Sequence, residues 1–121
     1  MEHMDKDAAR CYVEVRSEHD VRVVVMAGEF DMDNVDDLRR AMEPEARGVS
    51  RYVLDVSGVT FADSTALSVI LQPALNRPVI LAGEVPPRFA RLLEVTGADR
   101  VFASARTEEE ARTMVIPPRT Y

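Results

Sequence analysis

One cysteine, one lysine, two histidines and no tryptophan occur in this 121-residue chain. Each scarcity removes a class of function. A lone Cys11 allows no internal disulfide. It alternates with Val13 and Val15, so it reads as a small core-facing residue rather than a reactive thiol. The net charge is −6, Lys6 is the sole lysine and the arginines are scattered. Binding to a phosphate backbone needs clustered cations, so no direct nucleic-acid partner is expected. Neither His3 nor His19 has a Cys or His at metal-ligand spacing, so no metal is expected. A Gly-rich phosphate loop and a Gly-x-Ser-x-Gly elbow are both missing, which argues against an enzyme and against a bound cofactor. No apolar run approaches the roughly 20 residues of a membrane span. The opening MEHMDKDAAR is polar and lacks the apolar core of a signal peptide. The expectation is a cytoplasmic protein with no membrane partner.

What is present is the balance of a soluble domain: 46% hydrophobic and 30% charged residues. The length suits one domain over 1–121, with a core over about 10–115 and loose tails at 1–8 and 116–121. Cys11, Val13 and Val15 alternate as in a half-buried strand, and Val21–Ala27 is nearly all apolar, as in a strand covered on both faces. A polar turn joins them into a hairpin. Val35, Leu38 and Met42 then repeat at helical spacing, with Asp33 or Asn34 as cap. Arg51–Val56 reads as a third strand ended by a Ser57–Gly58 turn. Leu67, Ile70, Leu71 and Ala74 mark a second helix opened by Ser64, which kinks or stops at Pro73. Pro78–Ala82 is a fourth strand. Pro86 and Pro87 start a helix that turns Phe89, Leu92 and Leu93 inward and ends at Gly97. Val101–Ala103 is a short strand. Thr107 and Glu110 make a capping box for a last helix, stopped by Pro117 and Pro118.

The order ββαβαβαβα predicts an α/β fold: a mixed, mostly parallel sheet of about five strands with helices packed on it. In such units the loop after a strand's carboxyl end commonly meets ligands and partners. That directs interest to VTFADSTALSVIL, where Asp63, Ser64 and Thr65 stand between a strand and an apolar helix. Ser64 as N-cap is the plain reading. Phosphorylation is the other, since a phosphate at a helix start would meet free amides and the positive end of the helix dipole.

The stretch YVLDVSGVTFADSTALSVIL resembles the signature of the STAS domain family of bacterial anti-sigma factor antagonists. Leu54, Asp55, Ser57, Phe61, Asp63, Ser64, Thr65 and Leu67 fit it in register. GEFDMDNVDDLR and RFARLLEVTGADRVF resemble the family's segments upstream and downstream, so the likeness spans roughly Val21 to Phe102. It implies a binding module, not an enzyme. Its partner would be an anti-sigma factor that is also a serine kinase with its own bound ATP. Binding would release the sigma factor. Phosphorylation of Ser64, rather than Thr65, would end binding, and a serine phosphatase would restore it. Asp31, Asp63, Ser64, Thr65 and Ala66 would form the contact surface. Ala66 stands where the family usually has glycine, so its methyl would hinder the kinase or stiffen the loop. This keeps a second reading open, a phosphorylation-independent STAS scaffold. A receiver-domain reading of Asp55 fails for want of a lysine after a late strand, and Asp55 is taken as a loop-organising side chain.

Overall fold

The computed structural model describes residues 10–116. Strands β1 (Cys11–Glu18) and β2 (Val21–Phe30) form the hairpin, antiparallel and in unbroken register from Cys11↔Gly28 to Glu18↔Val21. β3 (Arg51–Ala62), β4 (Val79–Ala82) and β5 (Ala103–Ala105) add in parallel, in the order β1-β2-β3-β4-β5. Helices α1 (Asp36–Ala41), α2 (Ser64–Leu71), α3 (Pro87–Thr96) and α4 (Glu108–Thr113) lie between and after them. The α/β order and the mixed sheet match the expectation.

Strand periodicity divides the core in two. Val24, Met26, Tyr52, Leu54, Val79 and Leu81 face Leu38, Leu67, Ile70, Phe89 and Leu93 of the first three helices. The alternate residues Val21, Val23, Val53, Ile80 and Ala82 face Ala111 of α4. β2, β3 and β4 are thus covered on both faces, and their apolar runs follow from that. A six-residue helix does not hold itself together, so α4 is tied down. Arg51 Nη1 donates to the carbonyls of Ala111 and Met114, at 2.9 Å each. Arg16 reaches Glu108 at 2.9 Å, and Arg112 reaches Glu18 at 2.9 Å. Ile116 packs half-buried on the second cluster. Pro117, Pro118, the tail beyond them and residues 1–8 lie outside the described residues.

Four local expectations are corrected. First, β3 does not turn at Ser57–Gly58 but runs on to Ala62. β2 advances from Val25 to Ala27 while β3 advances from Asp55 to Gly58, so one extra residue bulges out there, and a second follows opposite Gly28/Glu29. The cause is local. Asp55 Oδ1 accepts from Ser57 N–H at 3.0 Å and from Ser57 Oγ at 2.7 Å, which draws that residue off the ladder. Second, the last strand begins at Ala103, because a short 3₁₀ turn over Ala98–Arg100 follows left-handed Gly97, and Phe102 then dives into the main core. Third, neither Asp33 nor Asn34 caps α1. Val35 occupies the N-cap position with no side-chain bond. Fourth, the Glu110 carboxylate bonds back to the N–H of Arg106 rather than to that of Thr107, although Thr107 Oγ1 does accept from Glu110 N–H. Pro73 behaves as expected: α2 ends at Leu71, and one 3₁₀ turn follows.

Candidate functional site

β2 and β3 end side by side, and Asp63 links the segments beyond their ends. Its N–H donates to Phe30 O at 3.1 Å, the last link of the parallel pair. Its backbone is extended, so its side chain is free to fold over the next turn. Oδ1 then accepts from Ala66 N–H at 3.0 Å, which makes Asp63, not Ser64, the N-cap of α2. Oδ2 accepts from Met32 N–H at 3.2 Å in the loop after β2. One carboxylate therefore starts a helix and fixes a neighbouring loop.

That loop has its own order. Asn34 Oδ1 accepts from Asp31 N–H at 2.7 Å, and Asn34 Nδ2 donates to Glu29 O at 2.9 Å. Asp31 Oδ1 accepts from Asp33 N–H at 2.9 Å, and Arg10 approaches Asp31 Oδ2 at 3.4 Å. The two Asn34 bonds explain why that side chain is not available to α1. Asp31 and Asp63 come together at one end of the sheet through the Met32 amide, 31 residues from Asp63 in sequence. Cys11 lies below, half-buried, with Sγ donating to Asn34 O at 3.4 Å. Burial first, and the nearby Asp37 next, push its thiol above the usual range, so it stays protonated at neutral pH.

Relieved of capping, Ser64 is the exposed first residue of α2, and its hydroxyl makes no hydrogen bond to any described residue. Thr65 beside it is half-buried. Ala66 is only 1% exposed, with its methyl in the main core. Ala66 therefore presents no side chain to a partner, and the expectation that its methyl obstructs one is corrected. A phosphate on Ser64 would also find fewer free amides than expected, since Asp63 already holds that of Ala66. Its main electrostatic neighbour would be the Asp63 carboxylate, a like charge.

Two exposed residues of this surface lie outside the expected contact set, although Phe61 is part of the family motif. Met32 is 71% exposed between Asp31 and Asp33, and Phe61 is 44% exposed at the end of β3. Both are large apolar side chains in an acidic rim of Glu29, Asp31, Asp33 and Asp63. The usable signal for Met32 was an apolar residue set among loop acids, where no core can bury it.

The cap assignment has a direct test. Asp63→Ala is expected to cost about 1–2 kcal/mol of stability, because it removes a cap and leaves two amides unpaired. Asn caps about as well as Asp but has a single acceptor oxygen, so Asp63→Asn is expected to keep the Ala66 bond, lose the Met32 bond and fall between wild type and Asp63→Ala. Urea unfolding of both, beside Ser64→Ala, decides it. A Ser64→Ala variant destabilised as much as Asp63→Ala would return the cap to Ser64.

Residues 13–108 match the family described as "Mlab, STAS domain". The fold is shared with three solved structures. An anti-sigma factor antagonist from Mycobacterium paratuberculosis is 24% identical, with a TM-score of 0.73 over 87% of this chain and 93% of that one. The anti-sigma factor antagonist SpoIIAA in its unphosphorylated form is 21% identical, with a TM-score of 0.66 over 84% and 93%. The Bacillus cell fate determinant SpoIIAA in the phosphorylated form is 20% identical, with a TM-score of 0.63 over 84% and 96%. Among the described residues, no helix is long and apolar enough to cross a membrane.

Proposed function

The chain belongs to the STAS domain family, and on that premise we propose that it is an anti-sigma factor antagonist switched by phosphorylation of Ser64. The observation that carries this reading is the free hydroxyl of Ser64. It stands exposed at a helix start, while Asp63 does the capping that would otherwise occupy it. Such a hydroxyl can be modified without dismantling the fold.

In this reading the partner is an anti-sigma factor with serine kinase activity. The unmodified surface of Asp31, Asp63, Ser64 and Thr65 docks on it and frees the sigma factor. Exposed Met32 and Phe61 supply apolar contact beside the acids. The kinase passes the γ-phosphoryl group of its own ATP to Ser64 Oγ. ADP leaves, the hydroxyl proton is lost, and the complex comes apart. A serine phosphatase hydrolyses the ester and resets the domain. The chain itself needs no cofactor and catalyses nothing. It works in the cytoplasm, where RNA polymerase is. The burial of the Ala66 methyl favours the switch over a permanently active scaffold, since the departure from glycine lies inside the core.

Incubation with the cognate kinase and labelled ATP, followed by mass spectrometry, tests this. Label is expected on Ser64, lost in Ser64→Ala and kept in Thr65→Ala. Label on Thr65 alone, or none on a chain that still binds its partner, would sink the switch.

A further inference from the structure

β1 is an edge strand. Its inner side is fully paired with β2, and no described strand pairs with its outer side. Glu29 N–H donates to Arg10 O at 2.8 Å in the same register. In an antiparallel ladder the bonding residues alternate. Tyr12, Glu14, Arg16 and Glu18 therefore bond inward to β2, while Cys11, Val13, Val15 and Ser17 aim their N–H and C=O groups outward. Open edges ordinarily carry a bulge, a proline or a lysine that deters pairing. CYVEVRSE carries none of these, and its register is unbroken. Val15 is 46% exposed and Tyr12 54%.

The charges on β1 name the partner. Glu14, Arg16 and Glu18 share the sheet face that holds α4, as the pairs Arg16–Glu108 and Glu18–Arg112 establish. We propose that β1 pairs antiparallel with β1 of a second copy, about a twofold axis at Val15, joining the two sheets into one. In that register Glu14 of each copy faces Arg16 of the other, and the Val15 side chains adjoin across the axis. About six ladder bonds form between the outward groups of Val13, Val15 and Ser17 and those of the second copy.

The neighbouring registers fail. An axis at Glu14 sets Glu14 against Glu14. An axis at Arg16 sets Arg16 against Arg16 and Glu14 against Glu18. Like charges directly opposite on a ladder destabilise it. An axis between two residues sets outward-bonding residues against inward-bonding ones, which leaves the ladder unmade. A charged edge repels most strands, but Glu-Val-Arg read backwards is complementary to itself. The proposal stands apart from the reading of Ser64, since β1 carries none of the proposed contact residues.

Sedimentation velocity of the full chain at physiological salt, from tens to hundreds of micromolar, is the test. The wild type is expected to dimerise with concentration. Val15→Pro removes an outward N–H only, so the β1–β2 ladder and the circular dichroism should persist. Its dimer dissociation constant should rise about tenfold or more. Glu14→Arg and Arg16→Glu should each be monomeric alone and form a one-to-one heterodimer when mixed, because mixing restores both opposite-charge pairs. The mixing arm holds even if Val15→Pro fails to fold. A wild type that stays monomeric overturns the proposal. So does a dimer untouched by Val15→Pro, or charge variants that do not recover each other.

Discussion

Under the proposed function, Ser64→Asp is expected to weaken binding to the anti-sigma factor partner by about a hundredfold, while circular dichroism and the urea midpoint stay close to wild type. The loss of affinity follows from position. Ser64 is exposed next to Asp63, whose carboxylate bonds the Met32 amide that follows Asp31, so a partner that accepts this surface already meets several acids. One more charge, unpaired at an interface, costs several kcal/mol, and about 3 kcal/mol is already more than a hundredfold. The fold is spared because the Ser64 hydroxyl holds nothing together and acids are tolerated in a first helical turn. A phosphate adds about −1.5 to −2 charges and more bulk, so its effect should be larger in the same direction. Titration calorimetry of wild type, Ser64→Asp, Ser64→Ala and phosphorylated protein gives the comparison. Ser64→Ala should bind like wild type. Equal affinities across all four would leave Ser64 without a switching role and favour a constitutive scaffold.

Gly28→Ala should be among the most damaging single substitutions, costing about 3 kcal/mol or more. Two effects act together. Gly28 has φ +93°, which a side chain rarely adopts, and a Cβ there would lie 2.1 Å from Arg10 O. That carbonyl cannot step aside, because it accepts the Glu29 N–H at 2.8 Å. The clash would open the start of the β1–β2 ladder. It would also pull Arg10 away from Asp31, so the loop that carries Met32 should loosen too. Urea unfolding measures the first effect, and amide exchange of Met32 and Asp33 the second. A loss below about 0.5 kcal/mol would show that the backbone relaxes around the methyl. The contrast is Gly97→Ala, where a Cβ meets nothing within 4 Å and only the φ of +79° resists, so about 1 kcal/mol is expected.

Much of this architecture was legible because it depends on spacing. Leu38, Leu67, Ile70, Phe89 and Leu93 repeat at helical intervals, and each lies in the main core. Val23, Val53 and Ile80 sit in apolar runs too short for helices, and each is fully buried in a strand covered on both faces. Gly97 after an apolar helix and Pro87 at its start mark ends that need no tertiary partner to set them. The end of β3 was illegible for the opposite reason. Ser57–Gly58 has the composition of a turn, but β2 lies alongside and offers pairing groups as far as Phe30, and the strand continues to meet them. Composition records what a segment can do alone, and a ladder depends on two.

The sequence by itself determined that this chain is one α/β domain with three polar residues at the head of its second helix. Periodicity and local turn chemistry suffice for that, since both act within a few residues. Only the tertiary structure decided how those three divide the work. Asp63 caps because its own N–H is held by Phe30 O, which aims its carboxylate back over the helix start and across to Met32. Ser64 is left free and exposed as a consequence, and Ala66 turns inward. Asp, Ser and Thr are all competent caps, so the choice among them rests on where the adjoining strand ends. That end was set by β2, a strand far removed along the chain.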